Sequence, residues 1–408
     1  MTSMRHVKTA DVYRDGELAG QIERTDHGAS FRYLPAFLER HGAGAAIAFR
    51  LPPSREPVVT HGANLHTFFA GLLPEGQRFV ALSRRVKTSR DDLLTLLMAA
   101  GADCIGDVSV TPHDAPPRDA TPSADLGRLE ELDFEALFAE SLAFPGVDEQ
   151  RATAIPGVQR KVSASMISFP LRARHRGKAY ILKLNPPEHP RIVENEAFFM
   201  AMAAACGIRV APTELVVDAE GHAGLLVERF DRVPAASGGG HRLHQEDACQ
   251  LLDRYPADKY NLALADVFDG VRAVCSVPIV AAAQLLRQVA FSFLVGNGDL
   301  HAKNVSVIVT AAGRVELTPA YDLLSTLPYG DTSMALAMEG RDAKLRRHHF
   351  LAFGARHRLR ERAVRSMLDE LCDEAPAWLD RLPAIGLEPR LTERLRAAIV
   401  ERREALGA

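Results

Sequence analysis

One short segment, residues 296–304 with the sequence GNGDLHAKN, constrains the fold of this 408-residue chain more than any other. An apolar run at residues 289–295 leads into it, and a strand-like run at residues 305–309 leads out of it. Between these runs the segment carries a carboxylate, Asp299, and an amide, Asn304, five positions later. The pattern predicts a polar loop that joins two apolar elements and presents both side chains.

A second carboxylate, Asp322, follows another short apolar segment. A carboxylate that orients a hydroxyl, with an amide and a carboxylate that hold Mg²⁺, is the set of groups that phosphoryl transfer needs. Asp299 and Asn304 also fit the D-x-x-x-x-N spacing of protein-kinase catalytic loops. Asp and Asn near Gly are common in ordinary turns, so a turn without chemistry is the competing interpretation of this segment alone.

Composition indicates an ordinary globular protein, with 47% hydrophobic and 25% charged residues. The net charge of −3 gives no general attraction to nucleic acid or to an anionic membrane. The five cysteines are scattered without C-x-x-C spacing, which argues against a disulfide framework or zinc site and for a reducing compartment. With no secretory leader and no apolar run of about 18 residues, we expect a cytoplasmic protein without a membrane partner.

The first part of the chain, residues 1–110, is predicted to form an α+β module, and residues 111–128, with several prolines, a linker. The predicted elements of the module are a hairpin around Asp15-Gly16, an extended stretch at residues 45–51, a helix at residues 66–73 and a helix at residues 90–100 capped by Ser89.

The rest of the chain changes from β-rich to mainly helical. In residues 129–235 the predicted elements are a helix at residues 133–142, strands at residues 161–169, 178–184, 214–217 and 224–228, a basic turn at residues 172–177, and a helix at residues 192–205 that stops at Gly207. A glycine-rich break at residues 238–240 then leads into a mainly helical region, residues 236–408. This order predicts an α+β, bilobal protein-kinase-like fold, with the extra N-terminal module in front.

Lys183 lies in the strand-like stretch AYILKL and is the candidate catalytic lysine, because a kinase needs a fixed cation beside the nucleotide phosphates. A carboxylate on the following helix should hold it. Glu196 is preferred to Glu194, because it shares a helical face with Phe199 and Met200 and should point inward. A lysine that reaches solvent and a surface glutamate are the alternatives.

Weaker signals flank these residues. The segment IPGVQRK, residues 155–161, has one glycine and is a weak phosphate cradle, with an ordinary turn as the alternative. Residues 228–230, ERF, end a strand just before the glycine-rich break and would form the hinge whose backbone receives adenine. His301 or Lys303 should lie near the phosphates, although His301 could equally be a packed structural histidine.

Motifs along nearly the whole chain resemble those of one family. In chain order they read VYRDGELAG, FFAGLLPEG, PGVQRK, YILK, ENEAFF, VERFDR, HQEDACQ, GNGDLHAKN and LTPAYDLLS. The sequence is similar to the HipA-type serine/threonine kinases, which are toxins of bacterial toxin–antitoxin pairs.

The resemblance implies a kinase that uses ATP and Mg²⁺, with Asp299 as the catalytic aspartate, Lys183 as the phosphate lysine, and Asn304 and Asp322 as metal ligands. It also implies that ATP contacts a set of residues drawn from several of these motifs: Gly157, Val158, Gln159, Arg160, Lys161, Lys183, Glu228, Arg229, Phe230, His301, Lys303, Asn304 and Asp322. The implied partners are a protein whose serine is phosphorylated, of the kind of an aminoacyl-tRNA synthetase, and a helix-turn-helix antitoxin. DNA would be bound only through or together with that antitoxin.

One departure from the family concerns regulation. Its members often carry a serine before the glycine-containing loop, and autophosphorylation of that serine ejects the loop and inactivates the kinase. Ala154 aligns with that serine here. Thr153, Ser163 or Ser165 could replace it, or the alanine could have been introduced deliberately.

Two rival functions stay open at this stage. The GDLHxxN pattern also resembles the catalytic loop of aminoglycoside and choline phosphotransferases, which makes a small-molecule kinase conceivable. The second rival is a degenerate kinase that acts as a scaffold or co-repressor. It would have no need of buried charges at Lys183, Asp299, Asn304 and Asp322, since burying charge is costly.

Overall fold

A five-stranded antiparallel sheet organises the first part of the chain in this computed structural model, which describes residues 4–101, 104–115, 124–125, 132–137, 169–175, 178–233 and 240–408. Its strand order is β4-β3-β2-β1-β5, and the strands are β1 (Thr9–Arg14), β2 (Glu17–Thr25), β3 (Gly28–Tyr33), β4 (Val58–His61) and β5 (Val108–Pro112). The predicted hairpin is confirmed: Asp15 (φ 44°) and Gly16 (φ 85°) both adopt the positive φ of a type I′ turn. The helices of this module are Pro35–His41, Thr67–Gly71, Gly76–Arg85 and Leu93–Ala100.

Two predictions for this module are wrong. Residues 45–51 are not a strand: a 3₁₀ turn, Gly42–Ala45, is followed by one isolated bridge between Ala48 and Leu51. Ala45 and Leu51 are fully buried, so the apolar side chains that suggested a strand belong to the core of the module.

The predicted cap Ser89 is also wrong, because the last helix begins three residues later. Asp92 accepts a hydrogen bond from the Thr95 N–H at 3.3 Å and is the N-cap. Arg24 on β2 binds the same carboxylate at 2.6 Å. The Thr88 hydroxyl donates to its other oxygen at 2.7 Å. Asp92 therefore combines local capping contacts with a contact from β2.

A second five-stranded sheet, order β6-β7-β8-β10-β9, forms the small lobe. Its strands are β6 (Ala124–Asp125), β7 (Phe169–His175), β8 (Lys178–Leu184), β9 (Thr213–Val217) and β10 (Ala223–Glu228), and the helix Ile192–Ala205 packs against it. The predicted bounds of β8 and of that helix are confirmed. The turn predicted at residues 172–177 is wrong, because an antiparallel ladder with β8 continues to His175. All but the last residue of the strand predicted at residues 161–169, and half of the helix predicted at residues 133–142, lie outside the described residues.

The large lobe is mainly helical, as predicted. Its helices are Ala248–Leu251, Leu264–Val274, Pro278–Val295, Arg347–Arg356, Glu361–Glu374, Pro376–Leu379 and Pro389–Gly407, and a three-stranded sheet pairs β13 (Gln245–Asp247), β14 (Ser306–Val309) and β15 (Val315–Leu317). Two short strands, β11 (Arg232–Val233) and β12 (His241–Arg242), pair just before it. Within the described ranges, one helix, Pro278–Val295, has the length and apolar composition of a membrane span, but 67% of it is buried inside the protein, as in a core helix.

The N-terminal module is joined to the large lobe by a buried ionic cluster around His244. The Nδ1 atom of this ring lies 2.8 Å from Asp107, the residue before β5, and its Nε2 atom lies 2.8 Å from Glu246 of β13. Glu246 in turn accepts the backbone N–H of Phe49 at 2.7 Å. Burial lowers the pKa of His244, but the hydrogen bonds to the two carboxylates reverse this and raise it to about 9.

This cluster predicts a pH-dependent stability. A histidine with a raised folded-state pKa contributes its full stabilisation below its unfolded pKa, ~6.5, and loses it as the pH rises through about 9. We expect the free energy of unfolding to fall by roughly 2–3 kcal/mol between pH 6.5 and 9.5, measured by urea denaturation. His244→Gln should reduce that slope, whereas substitution of the exposed His27 by Gln should leave it unchanged. Equal slopes in both variants would contradict the assignment.

Candidate active site

Lys183 lies near the end of β8 and is 6% exposed. Its Nζ atom donates to both carboxylate oxygens of Glu196, at 2.7 and 2.9 Å, and also bonds to Asp322. Burial lowers the pKa of Lys183, but the carboxylates of Asp322 and Glu196 more than offset this and hold its pKa above the ordinary value. Lys183 is therefore a fixed, buried cation between two carboxylates.

The preference for Glu196 over Glu194 agrees with these contacts. Glu196 is 2% exposed and lies on the same face of its helix as Phe199 and Met200, which are fully buried. Glu194 instead pairs with Arg191 at 2.7 Å and accepts from Asn185 at 2.9 Å, at the start of the helix. The predicted contact between the lysine of the strand and the glutamate of the helix, Lys183 and Glu196, is present.

The loop at residues 296–304 begins where the helix Pro278–Val295 ends, at Gly296 in a left-handed conformation (φ 71°). Gly298 packs so closely that a Cβ atom there would lie 2.7 Å from the Ser333 carbonyl oxygen and 2.8 Å from Thr326 Oγ1. Its N–H donates to Thr326 Oγ1 at 2.9 Å. Gly296 thus allows the backbone to turn at the end of the helix, and Gly298 allows the loop to pack closely against the rest of the large lobe.

Asp299 is held by hydrogen bonds with several neighbouring residues. Its N–H donates to Asn297 Oδ1 at 2.9 Å, its carbonyl accepts from Asn304 Nδ2 at 2.8 Å, and its Oδ1 accepts from the Tyr260 hydroxyl at 2.7 Å. Burial raises the pKa of the Asp299 carboxyl to about 7, although the hydrogen bond from Tyr260 lowers it. A carboxylate with a pKa near neutrality suits a group that exchanges a proton with a hydroxyl.

Asn304 and Asp322 provide oxygen ligands of the kind that Mg²⁺ prefers. Asn304 uses its Nδ2 on the Asp299 carbonyl, and its Oδ1 has no hydrogen-bond partner in the part of the chain that the structure describes. Asp322 has a left-handed backbone (φ 56°), and its carbonyl accepts from Asn297 Nδ2 at 3.4 Å. Its side chain is 34% exposed. The donor set therefore fits a hard divalent cation.

A cavity of about 200 Å³ opens beside Lys183 and Asp322. All three parts of the protein contribute to its walls: Gly71, Leu72 and Ile105 from the N-terminal module; Ile181, Lys183, Val227, Glu228, Arg229, Phe230 and Asp231 from the small lobe and its end; Gln245, Asp247, Gln250, Lys303, Ser306, Tyr321 and Asp322 from the large lobe. The cavity brings Lys183, Lys303, Asp322 and residues 228–230 together. His301 and Asn304 do not line it.

His301 belongs to the loop at residues 296–304 but does not line the cavity. Its ring packs edge-on against Tyr260, with 5.0 Å between ring centroids, and its Nε2 lies 3.9 Å from Asp299 Oδ1. Burial keeps the pKa of His301 well below its ordinary value. His301 is therefore a packed structural histidine, which was the alternative to a position near the phosphates.

The predicted hinge, residues 228–230, has fewer free backbone N–H groups than expected for a segment that receives adenine. The N–H groups of Glu228 and Arg229 donate to the carbonyls of Pro212 and Ala179, each at 2.9 Å. The Glu228 carboxylate pairs with Lys178 at 2.8 Å on an exposed surface. The Arg229 guanidinium is buried and forms two hydrogen bonds to Asp231, at 3.0 and 2.8 Å.

Several neighbours of the site were not predicted. Lys303 donates to Asp247 at 2.7 Å and to the Gly71 carbonyl at 3.1 Å, and lies 3.4 Å from Glu75. Burial lowers the pKa of Lys303, but Asp247 and Glu75 reverse this and raise it. Asp247 and Glu75 stand in HQEDACQ and FFAGLLPEG, motifs with no residue type that marks this role. Tyr260 stands in none of the motifs.

The loop at residues 157–161 and the departure at Ala154 both lie outside the described residues. Their predicted roles stay predictions.

Comparison with known proteins agrees with this geometry. The HipA N-terminal domain matches residues 10–111, and the HipA-like C-terminal domain matches residues 153–379. The chain is 34% identical to Y4mE, a candidate kinase of Sinorhizobium fredii, over 81% of this chain and 80% of that one. It is 28% identical to the serine/threonine-protein kinase toxin HipA of Shewanella oneidensis, over 66% of this chain and 65% of the toxin.

Among solved structures, the chain resembles the complex of Shewanella oneidensis HipA, HipB and operator DNA. The match has a TM-score of 0.74 and 21% identity, and covers 97% of this chain and 96% of that one, which confirms the predicted kinase-like α+β fold. Both domain matches and the Y4mE relative support one assignment. The chain belongs to the HipA family.

Proposed function

We propose that this protein is a serine/threonine protein kinase that transfers phosphate from ATP, with Mg²⁺ as the metal. The observation that carries the proposal is the buried Lys183 between Glu196 and Asp322, beside the loop that holds Asp299 and Asn304. Taking such charges out of water costs several kcal/mol. A protein that only served as a scaffold would gain nothing from this arrangement.

Each side chain has a separate role in the proposal. Asp299 orients the acceptor hydroxyl and takes its proton, Lys183 binds phosphate oxygens, and Asn304 and Asp322 hold the metal. The metal, when bound, neutralises the negative charge of the phosphates. Because little covalent chemistry is left to the protein, positioning and charge account for most of the rate enhancement.

We further propose that the protein acts as a growth-arresting toxin in the cytoplasm, paired with a helix-turn-helix antitoxin. The support is the name of its Shewanella oneidensis relative, a kinase toxin, and the HipA–HipB–operator DNA complex whose fold it shares. The proposed substrate is a protein of translation, such as an aminoacyl-tRNA synthetase. DNA contact is proposed only together with the antitoxin.

Transfer of labelled phosphate tests the chemistry. We expect the purified protein, with ³²P-labelled ATP, Mg²⁺ and a lysate of its host, to label one or a few protein bands, because its groups are arranged for a protein hydroxyl. Excess EDTA should remove the label. Consumption of ATP with a labelled metabolite and no labelled protein would favour a small-molecule kinase. No transfer at all would favour the scaffold.

A further inference from the structure

Tyr260 makes the one side-chain hydrogen bond that reaches the Asp299 carboxylate from the part of the chain that the structure describes. Its hydroxyl donates to Oδ1 at 2.7 Å. The other oxygen, Oδ2, has no partner among the described residues, and the Asp299 side chain is 16% exposed. One oxygen of the carboxylate is therefore occupied and the other is open.

The tyrosine is itself held in place by its surroundings. The carbonyl of the preceding residue, Lys259, accepts the N–H of Ala302 in the loop at 3.1 Å. Lys259 Nζ bonds to Glu75 of the N-terminal module at 2.6 Å. The ring of Tyr260 packs edge-on against the ring of His301, which precedes Ala302 in the same loop. These contacts come from the large lobe and from the N-terminal module, and they restrict the movement of the phenol.

A carboxylate rotates about a broad, roughly two-fold torsion, so an unrestrained Asp side chain presents either oxygen in many orientations. A hydrogen bond to one oxygen restricts that rotation and fixes the direction of the other. Orientation of a reacting group within a few tenths of an ångström strongly affects the rate of a positioned reaction.

We propose that Tyr260 is a positioning residue: its phenol fixes Asp299 through Oδ1 so that Oδ2 faces the acceptor hydroxyl. The inference rests on the proposed kinase function. Tyr260 acts on the reaction through Asp299 and is not among the residues that line the cavity beside Lys183. The Lys259–Glu75 pair extends this support to the N-terminal module. Glu75 therefore stabilises the loop segment on which the catalytic carboxylate depends.

The test compares Tyr260→Phe with the wild type and with Tyr255→Phe, a control in the same segment that does not contact Asp299. The rate of ³²P incorporation into the strongest labelled lysate band is measured over a range of ATP concentrations. We expect Tyr260→Phe to lower the maximal rate about 10- to 100-fold, as for loss of a hydrogen bond to a charged group, with an unchanged apparent KM for ATP and an unchanged melting temperature. Tyr255→Phe should match the wild type.

Other results would contradict either the role of Tyr260 alone or the proposed kinase function as well. A wild type that works and a Tyr260→Phe variant within twofold of it would overturn this inference alone. A faster Tyr260→Phe variant would also overturn it, because the phenol would then be blocking the carboxylate. A raised KM for ATP together with a lower melting temperature would mean a structural role only, and again overturn it. An inactive wild type would overturn the proposed function, and this inference with it.

Discussion

Asp299→Asn is expected to lower the rate of phosphate transfer roughly 10²- to 10⁴-fold, the usual contribution of a general base. Asparagine keeps the size of the side chain and can still accept the Tyr260 hydroxyl, but its amide cannot take a proton from the acceptor. The variant should fold normally, because burial raises the pKa of the Asp299 carboxyl to about 7 and a neutral group suits this environment. The rate is measured as ³²P incorporation at saturating ATP.

The cellular counterpart is growth after induced expression without the antitoxin. We expect the wild type to stop growth and Asp299→Asn to permit it, at equal protein levels. The matched control is Asp380→Asn, since the Asp380 side chain is 93% exposed and pairs only with Arg396 in the described structure. Growth arrest by Asp299→Asn equal to that of the wild type would mean that the protein acts without phosphate transfer.

Lys183→Met is expected to have the largest effect on stability. It leaves Glu196, which is 2% exposed, without its cation, and breaking a buried pair in this way costs about 3–5 kcal/mol. Nucleotide binding should be lost as well, because the fixed cation beside Asp322 is gone. Urea denaturation measures the first effect, and titration with a fluorescent ATP analogue measures the second.

The double variant Lys183→Met/Glu196→Gln separates these two effects. It removes both charges together, so most of the lost stability should return, whereas nucleotide binding should stay absent. Lys178→Met is the control: Lys178 pairs with Glu228 on the surface, where such pairs contribute little to stability. If the double variant were no more stable than Lys183→Met, the Lys183–Glu196 pair would not be the source of the loss.

Sequence patterns predicted the parts of the fold that depend on neighbouring residues. The bounds of Lys178–Leu184 and Ile192–Ala205 are confirmed, because each is a mostly apolar stretch that ends at turn-forming residues, Asn185-Pro186 after the strand and Gly207 after the helix. The orientation of Glu196 followed from the same helical spacing. The predicted N-cap at Ser89 is wrong: the helix is capped by Asp92, whose carboxylate is also contacted by Arg24 from the distant strand β2.

The unpredicted parts of the site depend on contacts between distant residues. Lys303 meets the Gly71 carbonyl across 232 positions, and Lys259 meets Glu75 across 184. Tyr260 reaches Asp299 across 39 positions from a turn that follows the short 3₁₀ helix Pro256–Asp258, a segment too short for a periodic pattern. Sequence patterns over a few residues carry no information on such pairs, because the partners meet only when distant parts of the chain pack together.

The walls of the cavity beside Lys183 come from residues far apart in the chain, and this sets an order on their synthesis. Gly71 and Leu72 leave the ribosome long before Asp322 is translated. The cavity therefore cannot be complete until that late residue has been added, and a fragment that ends before residue 322 lacks one of the two carboxylates around Lys183.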